Sequence, residues 1–301
     1  MRKFATASLC SVGTSTVHSN HAVDTPPYGT TPVAMATTSP RVAACRRLDP
    51  TRGSHYATRM SQRCLRIAHR GASGSAPEHT RAAFEHALAC GVDMIELDVQ
   101  LSRDGELVVI HDLDLQRTTS AAGAVRERSF AEIKTLDAGA WYGPQFAGQR
   151  VLSLDEVIDI VGMRARLNVE LKAPEADWPV LATTLMRTLR GRGLLEGTIL
   201  SCFEPAALAV VHQYDAAARL GLLWQHTEFA QAWEWARRLG AVSFHPHWLL
   251  VSTGLVDTAH ACGLQVLTWT VNDVETMREL LRLGVDGIIS DHPERFPAVA
   301  G

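Results

Sequence analysis

From Leu65 onward a short apolar run of strand length recurs eight times, the first seven runs each followed by a stretch of helix length before the next. Apolar runs of four to eight residues bounded by turn residues read as buried strands, and a helix-length crossover between them implies parallel pairing. The predicted strands cover 65–68, 94–99, 167–171, 198–203, 219–224, 241–244, 265–269 and 286–290. Helices are predicted over 80–90, 153–161, 178–190, 205–212, 230–238, 254–261 and 274–283. Thr80 stands where an N-cap is needed, and Gly91, Gly240, Gly263 and Gly284 stand where helices stop. Eight such units point to an α/β fold, a (β/α)8 or TIM barrel, for which roughly 250 residues is typical. An open doubly wound sheet is the alternative, but no GxGxxG or GxxxxGK[ST] follows a strand.

Two stretches depart from the repeat. Ser102–Gly105 (SRDG) reads as a turn that sends 106–110 back as a hairpin partner of the second strand. Residues 113–150, with GAWYGPQFAG, read as a small insertion after strand two. The barrel domain is assigned to 64–301. Residues 1–63, rich in Thr, Ser, Ala and Pro, lack apolar periodicity and are assigned to a disordered extension. Translation from Met60, a transit-like leader and a plain tail all fit that composition.

Charge separates the same two regions. Residues 1–64 hold eight Arg and Lys against Asp24 and Asp49, which leaves −9 on the remainder of a chain whose total is −3. An acidic body argues against a nucleic-acid surface and suits a protein that holds a cation. No apolar run approaches the roughly 18 residues of a membrane span. The six cysteines form no CxxC pair, and Cys90, Cys202 and Cys262 sit in apolar segments as thiols, which favours a reducing, cytoplasmic location.

The chemistry gathers at strand ends, where such barrels place their sites. His69 and Arg70 close the first strand, and Glu96 and Asp98 lie two apart on the second. Asn168, Glu170 and Lys172 share one face of the third, and Trp269 closes the seventh; Asp291 and His292 follow the eighth. The hairpin delivers His111 and Asp112. Three carboxylates at one barrel mouth (Glu96, Asp98, Glu170) repel one another unless protonated or bridged. An all-oxygen set suits one hard divalent cation, Mg²⁺ or Ca²⁺, rather than zinc. Arg70 and Lys172 beside it would hold a phosphate, and His69 and His111 remain for proton transfer, which together suit phosphodiester cleavage. Asp112 either orients His111 or caps the turn. His245-Pro246-His247 lacks metal-ligand spacing on a helix and is read as packing.

The segment IAHRGASGSAPEHT through ELDVQLSRDGELVVIHD, with NVELK at 168–172 and TWTVN at 268–272, resembles the glycerophosphodiester phosphodiesterase family. The resemblance extends from Leu65 to the C-terminus. It implies hydrolysis of a small-molecule glycerophosphodiester to glycerol 3-phosphate and an alcohol, with His69 and His111 catalytic and Glu96, Asp98 and Glu170 on the metal. It also implies phosphate contacts from Arg70 and Lys172, and Trp269 along the glycerol side. Glu78 falls in PEHT where the family usually has PENT, so His79 replaces an asparagine and the support around Glu78 is the point of departure. The acid and base roles lean toward His69 as base and His111 as acid, without a decision between water and the substrate's own 2-hydroxyl as nucleophile. A lysophospholipase D acting on larger lipids and a non-catalytic phosphate-binding barrel are the competing readings.

Overall fold

The computed structural model describes residues 63–299. The disordered extension, the Met60 start and the leader reading therefore lie outside the described residues, Arg63 excepted. Strands β1 (Leu65–His69) and β2 (Met94–Leu101) are followed by two short ones, β3 (Leu107–Val109) and β4 (Leu152–Ser153). Then come β5 (Arg166–Leu171), β6 (Ile199–Cys202), β7 (Arg219–Trp224), β8 (Ser243–Pro246), β9 (Gln265–Thr268) and β10 (Gly287–Ser290). Strand β1 pairs in parallel with both β2 and β10, and β2 pairs with β5, so eight parallel strands close on themselves. Closure removes the exposed edges that an open sheet would leave.

Alternation along the strands sorts side chains into two cores. Outward residues such as Ile95, Leu97, Val99, Leu167 and Val169 pack against the surrounding helices. Inward residues Leu65, Ile67, Met94, Ile199, Leu267 and Ile289 fill the barrel's lower interior. Because the side-chain period is two, Glu96 and Asp98 continue the inward face of Met94, and Asn168 and Glu170 share the corresponding face of β5. The barrel interior is thus apolar below and acidic above.

The helices are α1 (Arg81–Ala89), α2 (Phe130–Lys134), α3 (Leu154–Val161), α4 (Trp178–Gly191), α5 (Pro205–Tyr214), α6 (Ala230–Leu239), α7 (Thr253–Ala261) and α8 (Val274–Leu283). Thr80 caps α1 as expected, its side chain accepting from Ala83 N–H. Strand β8 sits two residues later than its apolar run suggested. Gly240 ends α6 in the left-handed region, and Ala241 N–H then bonds Ala236 O at 2.9 Å, so Ala241 belongs to the helix terminus.

Strand β2 also outruns its predicted end. Its first residues pair with β1, while Val99–Leu101 pair antiparallel with β3, which supplies the partner that β1 no longer offers. β4 pairs antiparallel with β3, so the insertion begins at the Ser102 turn and returns at Ser153. It has its own apolar cluster of Val108, Ile110, Leu115, Val125, Ile133, Ala138 and Val151. Capping boxes at Ser129–Glu132 and Ser153–Glu156 start α2 and α3.

Gly71 locks the turn after β1 onto α1. Its φ is +83°, and a Cβ there would stand 2.8 Å from the Ala83 carbonyl carbon. Gly91 has φ +67° but open space around it. Gly91→Ala should cost about 1–2 kcal/mol in urea unfolding, the left-handed penalty alone. Gly71→Ala should cost clearly more, because a backbone clash is added; equal losses would show that the close approach is not restrictive.

Candidate active site

Strand register assembles the acidic patch. His69 lies opposite Glu96, Glu96 opposite Asn168, and Asp98 opposite Glu170. One carboxylate oxygen each from Glu96, Asp98 and Glu170 comes within 4.8 Å of the others, and all three residues are buried. These line or underlie a cleft of about 470 Å³ that opens to solvent at the carboxyl ends of the strands. His69, Arg70, Glu96, His111, Glu170, Lys172 and Trp269 line it, together with Asn168, Ser201 and Phe203. Asp98 lies beneath them, 1% exposed.

Two fixed cations face this patch. Lys172 Nζ is 2.6 Å from Glu170 Oε1 and 3.4 Å from Asp98 Oδ1. Arg70 Nε is 3.4 Å from Asp98 Oδ2, and its Nη1 donates to Glu78 Oε1 at 2.9 Å. Burial opposes charge on Lys172, yet Glu170 and Asp98 outweigh it and hold the ammonium above its usual pKa. Burial likewise opposes the Arg70 guanidinium, and Asp98, Glu78 and Glu96 overcome it.

The carboxylates respond unequally. Burial drives Glu96 well above the usual range, and Asp98 and Glu170 push it further. Burial also raises Glu170, to about 7, with Lys172 resisting and Asp98 adding to the rise. Asp98 is buried too, but Lys172, His111 and Arg70 overcome that and hold it well below the usual range. Even with Lys172 and Arg70 beside them, burial and mutual repulsion oppose full ionisation of Glu96 and Glu170, which a further cation would favour.

Each histidine is oriented by an aspartate. His69 Nδ1 is 2.6 Å from Asp291 Oδ1, and Asp291 Oδ2 accepts from Asn272 Nδ2 at 2.7 Å. His111 Nδ1 is 2.6 Å from Asp112 Oδ1. These contacts leave Nε2 as the second nitrogen of each ring, and both rings line the cleft. Burial pushes the His111 imidazole down to about 4, although Asp98 and Asp112 pull it upward. Trp269 forms the far wall, edge-to-face with Phe203 at 5.3 Å, its Nε1 donating to His245 O at 2.9 Å.

Glu78 takes its side-chain hydrogen bonds from arginines rather than from His79. Arg70 and Arg117 hold its two oxygens, and despite burial these cations bring its pKa down to about 2. Arg117, from the insertion, also donates from Nε to Asp112 Oδ2 at 2.6 Å. A chain of ion pairs therefore runs from Arg70 through Glu78, Arg117 and Asp112 to His111. His79 adopts φ +59°, a region in which Asn and His are enriched, and its Nε2 accepts the Asp98 backbone N–H at 3.2 Å. A buried acceptor at this position braces the middle of β2. Of the other histidines, His245 is fully buried, with Nε2 2.8 Å from Ser243 Oγ, and His292 contacts Glu294.

Sequence reasoning assigned no role to Asp291, Asn272 or Arg117. Asp291 was within reach, since it follows the last barrel strand at the rim where function collects. Arg117 carried no local signal; it acts only because the insertion folds back over Glu78.

A family profile described as "Glycerophosphoryl diester phosphodiesterase family" matches residues 69–295, from the first cleft histidine to just past Asp291. The chain belongs to this family. It is accordingly an enzyme, a hydrolase of glycerophosphodiesters. A glycerophosphodiester phosphodiesterase of Caldanaerobacter subterraneus subsp. tengcongensis is 40% identical over 231 residues, covering 76% of this chain and 95% of that protein. A Bacillus subtilis glycerophosphodiester phosphodiesterase is 34% identical over 254 residues, covering 79% and 86% respectively. The solved structure of an Oleispira antarctica phosphodiesterase, in complex with the product sn-glycerol-3-phosphate, superimposes with a TM-score of 0.73 at 31% identity. It covers 78% of this chain and 95% of its own.

Two substitutions test the support. Arg117→Gln should lower kcat about 10- to 100-fold with little change in KM, because it unseats Asp112 and misaligns His111. An unchanged kcat would detach the insertion from catalysis. His79→Asn should keep near-normal stability, whereas His79→Ala should lose about 1–3 kcal/mol by orphaning the Asp98 N–H. Equal behaviour of the two variants in thermal unfolding would contradict the bracing role.

Proposed function

We propose that the cleft hydrolyses glycerophosphodiesters to sn-glycerol 3-phosphate and a free alcohol, with His69 and His111 transferring protons and one hard divalent cation held by Glu96, Asp98 and Glu170. The observation that carries the reading is the convergence of three buried carboxylates, two fixed cations and two aspartate-held histidines on one cleft. The product-bound Oleispira structure supports the choice of product.

The residues fit a cation on independent grounds. Both carboxylate oxygens of Asp98 are buried without a hydrogen-bond partner, and the donors are all oxygen, which selects Mg²⁺ or Ca²⁺. Such an ion would supply Lewis-acid stabilisation of charge on phosphate oxygens. Arg70 and Lys172 add fixed positive charge to the same wall, and Trp269 with Phe203 gives the glycerol moiety an apolar face.

For proton transfer, His111 is neutral at working pH because of its burial, so its Nε2 is ready to accept. It takes the proton from the nucleophile's hydroxyl as the new P–O bond forms: water gives glycerol 3-phosphate directly, whereas the substrate's 2-hydroxyl gives a cyclic phosphate that water opens in a second step with the two histidines' roles exchanged. The P–O bond to the alcohol breaks, and His69 Nε2 gives its proton to the departing alkoxide. These roles exchange the two that the sequence leans toward. Asp112 and Asp291 fix the rings and favour the imidazolium when each is protonated. Cys64, Cys90 and Cys202 are free thiols, which supports a cytoplasmic location.

His69→Ala and His111→Ala should each lower kcat by about 10²- to 10⁴-fold while leaving the melting transition in place. Near wild-type turnover by either variant would remove that residue from the chemistry. The cation also predicts a pH dependence with a definite sign. Glu170 has a folded pKa raised to about 7 and that of Glu96 is also raised, so without cation the folded state loses stability as pH rises from about 4.5 through about 7 on account of Glu170, with Glu96 adding to the loss. The rise in Tm on adding Mg²⁺ or Ca²⁺ should therefore be larger at pH 8 than at pH 5.5. A shift independent of pH would place the ion elsewhere.

A further inference from the structure

On the outer side of the barrel, α1 presents a second group of ligand atoms unrelated to the cleft. His86 lies in its last turn, and Cys90 follows four residues later as the C-cap, with Cys90 N–H bonded to His86 O at 3.1 Å. A spacing of four puts both side chains on one helix face. Glu294, from the 3₁₀ turn Pro293–Ala298 after β10, completes the set. One atom each from His86, Cys90 and Glu294 lies within 4.8 Å of the others.

We propose that His86, Cys90 and Glu294 form a second metal site, selective for Zn²⁺ or a comparable thiophilic ion, distinct from the carboxylate site in the cleft. Hardness separates the two. The cleft offers only carboxylate oxygens, whereas this group offers a thiol, an imidazole and one carboxylate, a donor set that favours zinc over Mg²⁺ or Ca²⁺. Tetrahedral zinc with Zn–N near 2.0–2.1 Å and Zn–S near 2.3 Å needs ligand atoms ~3.4–3.8 Å apart. Atoms within 4.8 Å of one another need to close by at most ~1.4 Å to reach that spacing, within reach of the exposed Glu294 side chain.

The surroundings prepare the ligands. Both neighbours of Glu294 sit on the same oxygen: His292 Nδ1 is 2.8 Å from Oε1, and Ser75 Oγ donates to Oε1 at 3.1 Å. These contacts aim the carboxylate and leave Oε2 for the metal, as outer partners commonly do for metal-bound carboxylates. His292 supports Glu294 from a fixed position, its ring packed against the bare α-carbon of Gly74, where a Cβ would lie 2.4 Å from Cε1. Three protein ligands leave a fourth position for water. Occupancy would tie the turn after β10 to α1, three residues beyond the Asp291 that orients His69.

Cobalt substitution tests the site directly, because a thiolate ligand gives Co²⁺ a charge-transfer absorption in the near ultraviolet. The full-length, reduced protein would be titrated with Co²⁺ and Zn²⁺ in excess Mg²⁺ and Ca²⁺, which occupy the carboxylates. Wild type should show one equivalent with the thiolate band, displaced by Zn²⁺. Cys90→Ser should abolish the band, Cys202→Ser should keep it, and His86→Gln or Glu294→Gln should weaken Zn²⁺ binding at least 10-fold against a chelating indicator. Zn²⁺ should raise the Tm of wild type but not of Cys90→Ser, whose hydrolytic activity stays unchanged. Absence of the band in wild type, or its persistence in Cys90→Ser, would overturn the proposal.

Discussion

Burial of three carboxylates on one inward face is the constraint on which this structure turns. A barrel needs inward side chains to fill its interior, and the lower part does so with Ile67, Met94, Ile199, Leu267 and Ile289. Above them, Glu96, Asp98 and Glu170 replace apolar filling with charge. Burying such groups unpaired is among the most expensive things a chain can do, so the surrounding elements are committed to offsetting it. Lys172 rises from the end of β5, and Arg70 folds back from β1 in a left-handed backbone conformation. Both cations stand at ion-pair distance from Asp98, yet its buried oxygens accept no hydrogen bond.

The same economy explains the outer ring of the site. Arg70, drawn inward, is held from behind by Glu78, and Glu78 is held in turn by Arg117. Arg117 then reaches Asp112, which fixes His111. The insertion thus helps build the cleft, since its folding places the guanidinium that links Arg70, through Glu78, to Asp112 and His111. On the opposite side, Asp291 and Asn272 do the equivalent for His69 from the last barrel strand and the β9–α8 loop. Two histidines arriving from different parts of the chain end with the same Nδ1–carboxylate arrangement.

Much of this was legible in the residues themselves. The barrel followed from a repeated alternation, and β7 and α8 fall on their predicted residues because period, length and flanking turns agree there. The cleft set was legible because charged residues two apart in otherwise apolar strands have no inexpensive structural explanation. Less legible were features decided by tertiary contacts. Ala241 reads as strand until its amide is needed by the end of α6. β2 reads as ending at Val99 until β3 supplies a partner. Arg117 reads as an ordinary surface arginine, and Glu294 as an ordinary surface glutamate, because their partners lie far away in the chain.

The central claim is that the acidic patch holds a cation required for phosphodiester hydrolysis. Its most direct test is release of glycerol 3-phosphate from glycerophosphocholine by the purified protein, before and after EDTA treatment and after divalent metal is returned. The account predicts turnover that EDTA abolishes and that Mg²⁺ or Ca²⁺ restores. Turnover indifferent to EDTA would contradict it, leaving the histidines at work beside carboxylates that hold no ion.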